Sequence, residues 1–279
     1  MGYRKQKGEI RMKRITRVFS LFMTAVFVLG MCFPSFAASS KKQAVYVKTK
    51  EVSRDVLGNY YTQTMTYDKK GLLKSSKYSD SSRVSTKEKF TNKKNQASKK
   101  EYTEYEHGAL TEREEIRYTY TKKGYVNTEK YYYKIKVKKK WKYFLNYAVY
   151  FDWNSAGQCV HEEHYDFEDD ITTDIYYKYD SKGNLIEEIH ESSESEAPSI
   201  TRYEIEDKGD TVIRKEYSSS GTLNSIYYDT IKNGNVVKTV IYDSSGNYYE
   251  TIDYTYKLVK TKYAPKVRFQ QKHLDIFVE

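Results

Sequence analysis

Histidine, cysteine and carboxylate side chains concentrate between residues 159 and 174, where chemistry would be sought first. His161-Glu162-Glu163-His164 has the residue types of a zinc hydrolase, in which two histidines hold the metal and a glutamate acts as base. That chemistry needs the histidines at i and i+4 on one helical face. Here they are three apart in a strand context, which sends them to opposite faces. Cys159 and His161 share one strand face under regular alternation, with Glu163 behind, the order of a thiol nucleophile and its base. Two strand positions span about 6.6 Å, too far for an easy hydrogen bond. No helix N-terminus is at hand to lower the thiol pKa. Asp166, Glu168, Asp169, Asp170 and Asp174 offer the hard oxygen ligands that calcium takes, but lack the glycine and terminal glutamate of an EF-hand loop. The expectation is a non-enzyme, with no catalytic residue, no cofactor and no metal.

Recognition is the other chemistry on offer. Tyr131-Tyr132-Tyr133-Lys134 and Lys140-Trp141-Lys142-Tyr143-Phe144 interleave rings with lysines, a pattern able to stack on sugars or bases. Cross-strand packing in a tyrosine-rich sheet produces the same pattern without any ligand. Tyr132, Lys140, Trp141, Lys142 and Tyr143 are the candidate ligand contacts.

The start of the chain reads as an export signal. Arg11, Lys13, Arg14 and Arg17 precede an apolar run from Val18 to Met31, and Ser35-Phe36-Ala37 places small residues for cleavage before Ala38. The apolar run is shorter than the ~20 residues of a membrane span, and Met31 is too bulky before a lipidated Cys32. Met12 is an alternative start. Residues 1–37 are therefore expected to be a signal peptide and 38–279 a secreted or cell-surface protein, with no membrane or nucleic-acid partner after cleavage.

Signal removal takes away seven basic residues and one acid, so a net charge of +10 falls to +4. What remains is polarised, with 27 basic and 12 acidic residues over 38–146 and 14 and 25 over 147–279. A basic half facing an anionic envelope polymer or glycan is one reading. Strand edges charged against aggregation is the other. Cys159 is alone once Cys32 is removed, so packing and ladder hydrogen bonds must hold the fold.

The elements that position all these residues are written in a repeat. Tyr179-Asp180-Ser181-Lys182-Gly183-Asn184 returns as Tyr242-Asp243-Ser244-Ser245-Gly246-Asn247. Looser copies surround Asp68 and Gly71, Gly124, and Trp153 to Gly157. In the second half, turn glycines fall at Gly183, Gly209, Gly221, Gly234 and Gly246, with a further turn in Ser192–Ser199. Between them lie runs rich in Tyr, Ile, Val and Thr, at strand length and turn spacing. Connections this short force antiparallel neighbours. Asp180 or Asp243 can accept a backbone N–H two residues on, and the glycine takes the positive φ that closes a bulged hairpin. In the first half Asn95 replaces the glycine, Glu106-His107-Gly108 and Lys232-Asn233-Gly234 read as shortened copies, and Lys138-Lys139-Lys140 reads as a hairpin tip. No amphipathic helix is evident after residue 38.

The expected fold is therefore all-β, an antiparallel meander of repeated hairpins. Leu, Ile, Val and Phe are sparse and tyrosine abundant, at 31 residues, which suits a sheet with both faces partly wet. Open sheets seldom exceed about 10 strands, so this one should curl into a spiral, shell or solenoid, or split in two.

The Tyr-Asp-x-x-Gly-Asn-Leu phrase at Tyr179–Leu185, with its copies at Tyr67, Tyr120, Trp153 and Tyr242, resembles the YD-repeat family of rearrangement-hotspot and teneurin-type proteins. The resemblance implies a long β-meander spiralling into a shell or tube, in an extracellular setting of cell-surface contact or toxin enclosure. It carries no catalytic residues, and nothing here resembles the family's toxin or protease domains. The functional expectation is a secreted β-repeat interaction module whose partner is an unknown protein. The alternative is an envelope polymer or glycan held by the Lys/Tyr-rich first half.

Overall fold

A computed structural model describes residues 41–138 and 140–273. The signal peptide, Cys32 and Lys139 of the basic tip lie outside the described residues. Sixteen antiparallel strands follow one another as a meander. They are β1 (Gln43–Asp55), β2 (Tyr60–Tyr67), β3 (Leu73–Asp80), β4 (Val84–Lys93), β5 (Gln96–Glu106), β6 (Ala109–Tyr120), β7 (Val126–Val137) and β8 (Lys140–Trp153). The second half supplies β9 (Cys159–Asp166), β10 (Ile171–Tyr179), β11 (Leu185–Ser192), β12 (Ser199–Asp207), β13 (Thr211–Tyr217), β14 (Leu223–Lys232), β15 (Asn235–Asp243) and β16 (Tyr248–Thr261).

The all-β antiparallel hairpin class holds, and the expected curl goes to full closure rather than to an open solenoid or a split pair of sheets. β1 pairs with β16 from Gln43 opposite Thr261 to Asp55 opposite Glu250, so the sheet closes into a barrel. Closure removes both edges, which settles the aggregation hazard without a second sheet.

The turns show how the repeat makes each corner. At Asp180, one carboxylate oxygen accepts the N–H groups of Lys182 and Asn184, both at 2.8 Å, and the other accepts the Asn184 amide at 2.9 Å. Gly183 adopts φ +88° and donates its N–H to the Asp180 carbonyl at 3.0 Å. The ladder slips by one residue beside it, between Lys178 and Tyr179. Asp68 with Gly71, Asn154 with Gly157, and Asp243 with Gly246 repeat this geometry. Hydroxyls of Thr121 and Ser218 serve the turns of Gly124 and Gly221. Gly209 turns β12 into β13. The shortened copies are a different device. His107-Gly108 and Asn233-Gly234 each place two successive residues at positive φ, as Lys94-Asn95 also does, which is the two-residue type I′ hairpin.

Among the described residues one helix, α1 (Ala264–His273), follows β16; it is not the amphipathic kind that the sequence reading looked for. Pro265 fits its first turn, where a missing N–H costs nothing. The buried residues Ala264, Val267, Phe269 and Gln270 do not form a clean stripe, so periodicity did not reveal it. The helix packs at the barrel end where even strands finish and odd strands begin. Gln270 accepts the Leu73 N–H at 2.9 Å and donates to Asn92 at 3.0 Å, and Lys266 reaches the Lys94 carbonyl. Phe269 completes an apolar cluster with Met65, Leu73, Phe90, Tyr125, Val149 and Phe151. Apolar packing is thus concentrated on the β2–β9 side. The β10–β16 side holds only small clusters, around Tyr203 and Ile252.

Candidate functional site

β7 and β8 build the most distinctive surface. β7 has β6 partners only as far as Tyr133, and β8 is laddered to β9 only from Tyr147. Residues 134–138 and 140–146 therefore form a two-stranded ribbon whose ladder is its own. The sequence from 134 to 146 carries six lysines and no acid. Cross-strand pairing sets Lys134 beside Tyr143 and Tyr132 beside Leu145 on the outer face, while Ile135 pairs with Lys142 and Tyr133 with Phe144 on the other.

On the outer face cations and rings interleave. The Arg117 guanidinium lies 4.2 Å from the Tyr132 ring centre and 5.4 Å from that of Tyr143. Arg113 lies 5.0 Å from Trp141, and Lys134 stands between Trp141 and Tyr143 at 5.5 and 5.6 Å. Of the sequence candidates, Tyr132, Trp141 and Tyr143 are brought together here. Lys140 and Lys142 alternate onto the opposite face, so the five do not form one site. Arg113 and Arg117 escaped the sequence reading; their spacing along one face of β6, next to the ribbon, was the available signal.

The barrel interior is lined differently, by carboxylates and phenols. Lys100 pairs with Glu88 at 2.8 Å, both within the wall and almost fully buried. Glu129, fully buried, accepts the Tyr131 hydroxyl at 2.9 Å on one oxygen and has no partner on the other. Burial pushes its carboxyl up to about 7, against the opposing pull of Lys100 and the Tyr131 hydroxyl and with the Glu162 charge adding to it. Glu162 meets His164 at 2.9 Å, and the other His164 nitrogen meets the Tyr147 hydroxyl. Across the barrel, Tyr227 donates to Glu216 at 3.0 Å while the Arg214 guanidinium lies 4.1 Å from the Tyr227 ring. Tyrosine is the repeat's core residue because its ring packs while its hydroxyl satisfies an inward carboxylate.

The chemistry sought around residue 159 is dispersed. A bulge between Asp152 and Trp153 pairs Trp153 with Cys159 but Asp152 with His161. The alternation breaks there, so Cys159 and His161 do not share a face, correcting that expectation. Cys159 points inward with its sulfur 3.8 Å from Glu162, and burial raises the thiol pKa far above its ordinary value. His161 lies outside, between Asp152 at 3.2 Å and Asp174 at 2.8 Å, stacked on Tyr176. His164 lies inside. Of the acidic run, Asp166 caps the N–H groups of Glu168 and Asp169, Asp170 takes the Tyr165 hydroxyl, and Asp174 is held by His161. Among the described residues no group of three or more His, Cys, Asp or Glu is arranged to hold a metal ion.

No protein-family model and no curated protein matches the chain. Among solved structures it is similar to a porin-like protein from Bacteroides vulgatus, at 9% identity over 74% of this chain and 97% of that one, with a TM-score of 0.38. A porin-like protein from Bacteroides uniformis is 11% identical over 82% of this chain and 100% of that one, with a TM-score of 0.33. A chain of the TcdB2-TccC3-Cdc42 structure is 14% identical over 73% of this chain, with a TM-score of 0.28; the match spans 13% of that chain's length. At these values none of the three bears on function.

Proposed function

We propose that this protein is an exported, non-enzymatic barrel of YD-like hairpins that acts as an extracellular interaction module. The 134–146 ribbon is its contact element. The observation that carries this reading is the ribbon itself, a hairpin arm with six lysines, no acid and four large apolar or aromatic side chains at least two-fifths exposed. A residue set so costly to leave in water is consistent with a surface that is covered in use. The non-enzymatic part rests on Cys159 and His161 facing apart and on His161 and His164 each being engaged by carboxylates.

A second reading has the outer face of Arg113, Arg117, Lys134, Tyr132, Trp141 and Tyr143 holding an anionic envelope glycan or polymer. Its support is the alternation of cations with ring faces, a surface suited to sugars that carry charge. A salt-dependent pull-down of residues 38–279 on purified cell envelope tests the module reading. Retention that a Lys138→Glu, Lys140→Glu, Lys142→Glu triple variant loses is the expected result. Equal retention of both proteins would place the contact elsewhere. The comparison uses the whole barrel because a half-chain would expose two ladder edges that closure normally pairs.

A further inference from the structure

The two faces of the ribbon make different demands on whatever covers it. Lys138, Lys140 and Lys142 have no carboxylate partner among the described residues, so the tip attracts an anionic surface. Ile135 is 47% exposed and Phe144 49%, and neither is a group that a hydrated polyanion would cover. Trp141 and Tyr143 on the opposite face are amphipathic rings of the kind that settle at lipid headgroup depth. A soluble polymer answers the lysines and leaves the apolar residues wet. An anionic bilayer answers both.

We propose that the β7–β8 ribbon docks the barrel peripherally on an anionic lipid bilayer, with Ile135, Trp141 and Phe144 entering the headgroup–acyl boundary and Lys138, Lys140 and Lys142 pairing with lipid phosphates. This rests on the module reading above and gives its partner a chemical class. The four β7 residues beyond Tyr133 extend about 13 Å at strand rise. That exceeds the roughly 5–10 Å to which interfacial elements bury their apolar side, so the ribbon lies obliquely in the interface rather than entering tip first. Charge and apolar burial act together, as stable peripheral anchoring requires two signals. The expectation of no membrane partner was drawn from the absence of a spanning run after residue 38; a peripheral arm needs no such run. The same end of the barrel also presents Val56, Leu57 and Tyr60 of the first hairpin and Tyr249 at the start of β16, all more than half exposed. The end opposite is where α1 packs.

The test is co-sedimentation of residues 38–279 with equimolar phosphatidylglycerol–phosphatidylcholine vesicles, with phosphatidylcholine vesicles, and with soluble polyglycerol phosphate as competitor. The chain has two tryptophans, and Trp153 is packed against Tyr125 and Phe269, so a blue shift on binding reports Trp141. We expect binding to the anionic vesicles only, a blue shift absent from Trp141→Phe, and weakening with salt. Each lysine is worth about fivefold at an anionic surface, so the triple Lys→Glu variant should bind at least a hundredfold more weakly. Ile135→Ser with Phe144→Ser should abolish the blue shift while unfolding at the wild-type temperature, since both side chains are exposed. Binding to polyglycerol phosphate without vesicle binding overturns the lipid proposal and leaves the module reading standing. So does envelope retention by a protein that ignores every vesicle. Binding to neither vesicles nor envelope removes both.

Discussion

The indole N–H of Trp153, at the end of β8, donates to the carbonyl of Val126 at the start of β7, at 2.6 Å. This is the repeat's latch. Tyr120 donates to Ala97 at 2.6 Å, Tyr179 to Cys159 at 2.7 Å, and Tyr67 to the carbonyl of Lys48. In each case the aromatic that opens the six-residue phrase turns inward and satisfies a carbonyl of the preceding strand. Removing one hydroxyl leaves that carbonyl half-buried without its donor. Tyr120→Phe and Tyr179→Phe should each cost about 1 kcal/mol in urea unfolding. Tyr217→Phe should cost under about 0.5 kcal/mol, because its hydroxyl bonds an exposed Glu204. Equal losses at all three positions would contradict the latch.

Two glycines of the same turn type should respond differently. A Cβ at Gly157 would stand 2.6 Å from the Tyr125 hydroxyl, whereas one at Gly221 meets nothing. Both positions have φ +79°, so both alanine variants carry the left-handed penalty of about 1–2 kcal/mol. Gly157→Ala should lose about 1–3 kcal/mol more, the cost of overpacking. Chemical denaturation of the pair gives the difference directly; identical midpoints would refute the close approach.

Glu129 sets a pH dependence of known sign. Its folded carboxyl titrates at about 7, pushed above the ordinary glutamate range by burial. The folded state then binds more protons than the unfolded one between about pH 4.5 and 7, so this group's contribution to stability falls as pH rises through that window. Glu129→Gln should flatten that slope and raise stability at pH 8 by up to about 3 kcal/mol. Unfolding curves at pH 5 and pH 8 check it. A variant with an unchanged slope would show that Glu129 is ionised and otherwise satisfied in the folded barrel.

Phe269 joins the helix to the barrel, 5.9 Å from the Tyr125 ring and 6.0 Å from Trp153. Phe269→Ala should cost about 3–5 kcal/mol, as for other buried phenylalanines. It should also shift Trp153 emission to the red as water reaches the ring. Loss of stability without that shift would mean the helix packs elsewhere in solution.

The strands and their corners could be read from composition, glycine spacing and the aspartate of each phrase, because these are local properties. The direction of the aromatics could not. Tyr67, Tyr120, Trp153 and Tyr179 end even-numbered strands and join inner-wall packing. Three strands separate Gly183 from Gly221, so the phrase then moves to the other end of the barrel. There Tyr217 reaches an exposed Glu204 and Tyr242 meets Tyr228 and Tyr248. The aromatic that opens this turn thus has two roles, set by strand parity. Closure was invisible for a related reason: it depends on β1 meeting β16 across the whole chain. The contact surface was half legible. Trp141 and Tyr143 announce themselves, but their cationic partners Arg113 and Arg117 come from β6, and Lys140 and Lys142 fall on the other face by alternation.

Hydrogen–deuterium exchange of residues 38–279, free and bound to purified envelope, tests the contact assignment most directly. Residues 134–138 and 140–146 are laddered chiefly to one another, so their amides should exchange quickly in the free protein and slow at least tenfold on binding. Protection confined to other strands, with the ribbon unchanged, would contradict the account.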